Sequence, residues 1–309
     1  MDFSDLNDSI GQFESALSGE KAELVSPDPR TLLLAIDGSN QDPTTIALAG
    51  EVGRRLKARV VVMMGGEGEP TDAQREKVKA AAAELAAQPY ALETDTIFKT
   101  APAPAQQILA AQQKLAADLV ILPAPYLRDV GLLGDESLSS PVDMLLAECT
   151  APMLLVREPL DDPKAALARV LIPMTVYVPS LGAAAGWAFK LVDAGGMVEL
   201  YAVADEAAAQ DAKKLLGVDE ELTADALVRA ESKLAGGMIA AVQRKGTETG
   251  VDVVVDVAAG KALQLTMARV HEGPCVVCTG APMDRTSRAF SRAYNVALRS
   301  KYPVLVVRR

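Results

Sequence analysis

Residues 31–39 read TLLLAIDGS, an apolar run of strand length that ends in Asp-Gly-Ser. The run is too short for an ordinary helix and stops at a glycine, so it is read as a buried strand opening into a loop. The next hundred residues repeat this grammar. The stretch from Pro43 to Lys57 places Ile46, Leu48, Val52 and Leu56 at helical spacings, and RVVVMM (59–64) is a second strand. A helix over 71–87, the strand LETDTIF (92–98), a helix over 103–116, the strand DLVIL (118–122), a helix over 141–148 and the strand PMLLV (152–156) complete the series. Strands alternating with helices predict a parallel, doubly wound α/β sheet.

The order then begins again. RVLIPM (169–174), MVELYAV (197–203), VDVVVDVA (251–258), PCVVCT (274–279) and PVLVVR (303–308) parallel the five strands in turn. The halves close on APMLLVRE (151–158) and YPVLVVRR (302–309). The expected architecture is therefore two doubly wound domains over 31–157 and 169–309, each a five-stranded parallel sheet with helices on both faces. EPLDDPKAALA (158–168) is the linker. Ahead of them, Phe3, Leu6, Ile10, Phe13 and Leu17 line one helix face opposite Asp5, Asp8 and Glu14. This acidic segment, 1–30 with SPDPR (26–30) as its own linker, is read either as docked on its own protein or as a partner-binding element.

Composition narrows the function classes. The chain has 309 residues, half of them hydrophobic, and a net charge of −10, of which residues 1–30 carry seven acidic and two basic side chains. Without Lys and Arg interleaved with aromatics, the electrostatic footprint of a nucleic-acid binder is missing. Apolar runs break well before the ~18 residues of a membrane span, so no membrane insertion is expected. The N-terminus shows no basic region followed by an apolar core, and the expected compartment is the cytoplasm. Cys149, Cys275 and Cys278 make no disulfide framework. In PCVVCT the two cysteines lie on opposite strand faces ~10 Å apart, beyond the ~7 Å that a disulfide spans, so buried thiols are expected rather than redox chemistry.

LLLAIDGS at a first strand, ADLVILPAP at a fourth, and a closing helix that runs into APMLLVR or KYPVLVVR resemble the universal stress protein family, twice over from Thr31 to Arg309. The resemblance implies a tandem member. Nucleotide-binding members of the family carry an Asp after the first strand, then Gly, two residues, Gly, nine residues and Gly-Ser or Gly-Thr after the fourth. Such glycines let the backbone approach phosphates, beside a helix N-terminus whose free N–H groups and dipole favour an anion. Mapped here, Asp37 keeps the Asp, while Pro123, Tyr126, and Ser139 with Ser140 replace the glycines and the Gly-Ser. Asp37, Ser39, Met63, Pro123, Tyr126, Ser139 and Ser140 are the candidate ligand-binding positions of the first half.

Gly131 and Gly134 form a Gly-x-x-Gly nearby, but Met144 stands where its third glycine should be, so they are read as turn glycines. Ser140-Pro141-Val142-Asp143 has the chemistry of a helix start, Ser as N-cap and Pro at the first position. The second half departs further from the family pattern. Thr175 stands in the place of the Asp, Gly280 keeps the first glycine, Met283 replaces the second, and Phe290-Ser291 takes the Gly-Ser position.

No catalytic or metal-binding group emerges. AAGKA (258–262) fails as a phosphate loop because Val255 and Ala262 stand where Gly and Ser or Thr are required. His271, Cys275 and Cys278 lack a fourth ligand for zinc. Arg285, Arg288, Arg292 and Arg299 share a helix face, either solvated or meeting an anion. Trp187 is expected as a packing anchor.

The resemblance thus implies a non-enzymatic stress-response protein acting through protein contacts or small-ligand sensing, with the two halves paired as an internal pseudo-dimer through their last strands and a homodimer beyond that. Two alternatives stay open: ATP or AMP bound in the first half alone, with slow hydrolysis at most, or a soluble regulatory subunit of a transporter or kinase.

Overall fold

The computed structural model describes residues 24–128, 137–174, 178–205, 224–281 and 288–308. The first half contains β1 (Thr31–Ile36), α1 (Asp42–Leu56), β2 (Arg59–Met64), α2 (Asp72–Ala86), β3 (Thr94–Thr96), α3 (Pro104–Leu115), β4 (Leu119–Pro123), α4 (Ser140–Glu148) and β5 (Met153–Val156). A short helix, α5 (Pro163–Ala166), leads into β6 (Arg169–Met174), α6 (Val178–Leu191), β7 (Met197–Asp205), α7 (Ala224–Thr249), β8 (Asp252–Gly260), α8 (Ala262–Val270), β9 (Val276–Ala281), α9 (Arg288–Arg299) and β10 (Val304–Arg308).

All ten strands join one sheet in the order β3-β2-β1-β4-β5-β10-β9-β6-β7-β8. A five-stranded sheet was expected in each half; the two are continuous as one ten-stranded sheet because the last strands β5 and β10 pair antiparallel, with Leu305 opposite Leu154 and Val304 opposite Leu155. Every other pairing is parallel. MLLV and VLVVR are buried along their whole lengths. Left as free edges, such strands would offer apolar templates to other chains, and mutual pairing removes both edges at once.

The inner strands β1, β2, β4, β5, β9 and β10 are buried on both faces, which is why they read as continuous apolar runs instead of alternating ones. Leu34, Ile121, Leu154, Val170 and Leu305 belong to one core layer. Leu33, Val120, Leu155, Val277 and Val306 belong to the other. Each layer crosses the β5–β10 junction. Helix boundaries follow local chemistry: Pro opens α1, α3 and α4, and Thr71 with Gln74 forms a reciprocal capping box at α2.

Residues 24–30 run over the second half before entering β1. A Cβ on Gly186 of α6 would lie 1.8 Å from the Val25 carbonyl oxygen, so only glycine admits this crossing. Leu24 packs against the same core as the neighbouring Trp187, which is buried as expected.

Three local expectations change. β3 covers Thr94–Thr96 instead of 92–98, a short polar edge strand. The cap of α4 is Ser139, one residue before the expected Ser140, and its hydroxyl does not cap the helix. β7 and β8 run on to Asp205 and Gly260, two residues beyond the apolar runs, because they pair with each other to their ends. The expected helix of 1–20, and the positions Gly131, Gly134, Thr175, Met283 and Arg285, lie outside the described residues.

Candidate functional site: two crevices at the strand ends

In a doubly wound sheet the strand order reverses between β1 and β4, and again between β6 and β9, and a crevice opens there at the strand carboxyl ends. The two crevices differ in what fills them.

In the first half the DGS turn is held from below. The first residue of α1, Asp42, accepts hydrogen bonds from the N–H groups of Asp37 at 3.1 Å and Gly38 at 2.7 Å, and Gly38 takes the positive φ that the turn requires. Burial pushes the Asp42 carboxyl up to about 6; the adjacent Asp37 adds to the rise, while the two backbone donors oppose it. Asp37 itself is 7% exposed. Its oxygens accept from Ser39 N–H at 2.9 Å and Leu127 N–H at 2.6 Å, so its carboxylate ties the β1 loop to the β4 loop.

Tyr126 closes the space between them. Its side chain is fully buried, and its hydroxyl donates to the Ile36 carbonyl at 2.7 Å and accepts from Gly65 N–H at 2.9 Å. The ring thus bridges the ends of β1 and β2, and burial drives the phenol pKa far upward, keeping it neutral. Ser139 supports this loop by accepting from Tyr126 N–H at 3.1 Å, from a backbone with φ of 82°.

Of the seven sequence candidates, Asp37, Ser39, Tyr126 and Ser139 therefore meet in one hydrogen-bonded group. Pro123 is buried in β4 opposite Val156, and Met63 is buried in β2 opposite Ala35, so neither faces open space. Ser140 is exposed at the start of α4. Sequence reasoning missed Asp42 and Gln41. Gln41, fully buried, donates to the carbonyls of Ala124 and Arg157 and takes a hydrogen bond from Ser39, joining the ends of β4 and β5 to the DGS turn. An acid at the first helical position after a glycine turn was the available signal for Asp42; Gln41 had none.

The second crevice holds a cavity of about 230 Å³ between the ends of β6 and β9 and the helices α8 and α9. Pro173, within β6, brings no N–H to the ladder, and pairing of β6 with β9 stops at Leu171 with Val277. The strands part beyond that point. Pro173, Met174, Val203, Leu263 and Val296 make the apolar wall. Thr266, Thr279, Ser291, Arg292 and Asn295 bring polar groups to it. Thr266 and Thr279 are 6% and 4% exposed, and neither hydroxyl has a hydrogen-bond partner among the described residues. α8 begins here at Lys261 with no side-chain cap and no acid in its first turn. No lining residue among those described is a carboxylate.

Beneath this cavity α8 is fixed to the sheet. Glu199 of β7, 1% exposed, receives both Nε and Nη2 of Arg169 at 2.9 and 2.7 Å and also the Nε of Arg269 from α8. Arg269 further pairs with Glu272 at 2.8 Å and Asp256 at 3.6 Å.

The cysteines behave as buried thiols. Cys275 lies in one core layer and Cys278 in the other, burial raising the first to about 12 and the second further. His271 ends α8, exposed, and no group of three metal-ligating side chains occurs among the described residues. Of the arginine row, Arg292 reaches the cavity, while Arg299 is exposed.

No protein-family model matches this sequence, and no curated protein matches it. Solved structures do. A universal stress protein from Archaeoglobus fulgidus DSM 4304 is similar over 90% of this chain and 98% of its own, with 16% identity and a TM-score of 0.61. The cytoplasmic domain of a prokaryotic cation chloride cotransporter is similar over 90% of this chain and 95% of its own, with 8% identity and a TM-score of 0.52. A universal stress protein in complex with cAMP matches 42% of this chain and 99% of its own at 17% identity, with a TM-score of only 0.31. The fold is that of the universal stress proteins, an α/β arrangement around a mostly parallel sheet. No helix among the described residues is long and apolar enough to cross a membrane.

Proposed function

We propose that this chain is a stress-response protein of the universal stress protein type, built from two repeats, that acts by binding a small molecule and not by turnover. Its ligand crevice is the one in the second half. The crevice of the first half is structural, its inherited Asp spent on the chain's own N–H groups. One contrast carries the reading: Tyr126 fills the space at the end of β1 and β2, while about 230 Å³ stays open between β6 and β9.

The other features of the reading are a cytoplasmic setting, protein partners that respond to the ligand, and two halves related as an internal pseudo-dimer across β5 and β10. Supporting the last is the symmetric order 3-2-1-4-5 on one side of that junction and 8-7-6-9-10 on the other. The competing reading is an adenine nucleotide in the first half. Asp37 favours it, but a nucleotide there would have to displace Tyr126 and take the Asp37 oxygens from Ser39 and Leu127.

Titration calorimetry with ATP, ADP and AMP separates the two. The proposal expects no heat of binding at millimolar ligand, for the wild type and for Asp37→Ala alike. Micromolar binding abolished by Asp37→Ala would replace it with the nucleotide reading.

A further inference from the structure

We infer that the second crevice takes a small organic anion: one carboxylate-like head on a short apolar body. This rests on the reading of that crevice as the working one, and adds the chemical class of its ligand.

Size comes first. A cavity of about 230 Å³ has room for several waters and takes a small organic molecule such as a short-chain acid. Shape and polarity follow from the walls. Met174, Val203, Leu263 and Val296 form an apolar side that gains nothing from holding water.

The polar side is built for negative charge. Arg292 lines the cavity and brings positive charge to it, on a guanidinium group of the kind that pairs with carboxylates. Ala262 and Leu263, the first residues of α8, line the cavity, so the uncapped and dipole-positive end of this helix borders it with no acid in the first turn. Thr266 and Thr279 supply two further donors. Both are more than nine-tenths buried and line the cavity, and their hydroxyls meet no partner among the described residues. Hydroxyls that make no bond within the protein and border the cavity are open to a ligand oxygen in place of water. Among the described lining residues a cationic ligand finds no carboxylate to pair with. A neutral ligand would gain little from the positive charge of the arginine or the dipole of the helix.

The Glu199 cluster gives this wall its rigidity. Arg269 binds Glu199 near the far end of α8, which fixes the helix while its N-terminus faces the cavity.

The test uses the full chain carrying 13Cε-labelled methionine. Met174 lies in the second cavity, and Met64 reports the first crevice, its Cε being 3.1 Å from where a Cβ on Gly38 would stand. Hexanoate, hexanamide, inorganic phosphate and ATP are titrated to about 20 mM, enough to saturate a ~1 mM site. Expected is a saturable shift of Met174 by hexanoate, with Met64 unmoved. Hexanamide binds about 10-fold more weakly or worse, and Arg292→Gln weakens hexanoate by a similar factor, as loss of a charge-assisted hydrogen bond requires.

If hexanamide binds as well as hexanoate, if Arg292→Gln changes nothing, or if phosphate alone shifts Met174, the organic-anion class is overturned while the second-half site stands. If no probe moves Met174, or ATP moves Met64 saturably, the reading beneath it fails as well.

Discussion

The hydroxyl of Tyr126 donates to the carbonyl of Ile36 at 2.7 Å, tying the β4 loop to the last residue of β1 where a ligand crevice would otherwise open. The same oxygen accepts from Gly65 N–H, so one side chain completes the hydrogen bonding of two strand ends. Tyr126→Phe leaves both backbone groups buried without that partner. It should destabilise the protein by about 1–3 kcal/mol in urea unfolding. Tyr126→Ala should cost more, about 3–5 kcal/mol, through the cavity it creates. A neutral effect of both substitutions would show that the Tyr126 contacts do not hold the crevice shut.

Glu199 holds two guanidinium groups from almost complete burial. Removing one member of a buried charge cluster leaves its partners uncompensated, at a cost of about 3–5 kcal/mol. Chemical denaturation of Glu199→Ala should show a loss of this size. A change below about 1 kcal/mol would mean that solvent reaches the arginines freely enough to replace the carboxylate.

Asp42 predicts a pH dependence of defined sign. Its carboxyl rises from 3.8 to about 6 on folding, so the folded state holds its proton more tightly than the unfolded state. Folding therefore takes up a proton between about pH 4 and 6, and the contribution to stability falls as pH rises through that window. Urea unfolding at several pH values should show a slope in the wild type that Asp42→Asn removes. An identical slope in the variant would assign the dependence to other groups.

Cys149, Cys275 and Cys278 are all buried with thiol pKa values raised by that burial, Cys275 to about 12. A thiol-specific reagent at mildly alkaline pH should label none of them in the native protein and all three after unfolding. Rapid labelling of native Cys275 or Cys278 would contradict the packing of β9 between two core layers.

Gly186 is the point where residues 24–30 cross α6. Since a Cβ would meet the Val25 carbonyl at 1.8 Å, Gly186→Ala should free this segment or shift the helix, in spite of the better helix propensity of alanine. Limited proteolysis should then cut near residues 24–30 faster than in the wild type. Unchanged cleavage with raised stability would show that the crossing is loose.

Much of the fold was legible because buried parallel strands write themselves as short apolar runs, and the second half repeats the first in order. The single sheet was legible only through the family resemblance, which pairs the last strands of the two halves. Whether MLLV and VLVVR face water or each other depends on pairing between residues some 150 positions apart, which no local pattern encodes. In the site, Asp37, Tyr126 and Ser139 were found by position, but sequence could not show that the Asp37 carboxylate and the Tyr126 hydroxyl satisfy their own chain. The second crevice was undervalued for a related reason. Its departures from the glycine pattern looked like loss, whereas Thr266, Thr279 and Arg292 come from α8, β9 and α9 and meet only in three dimensions.

The proposed function turns on one contrast, a first crevice closed by Tyr126 and a second that takes a small ligand. A crystal structure of the full chain grown with both ATP and hexanoate tests this contrast most directly. The predicted result is hexanoate density between β6 and β9 against Thr266, Thr279 and Arg292, with Tyr126 still on the Ile36 carbonyl. Nucleotide density beside Asp37, with Tyr126 displaced and the second cavity empty, would contradict it.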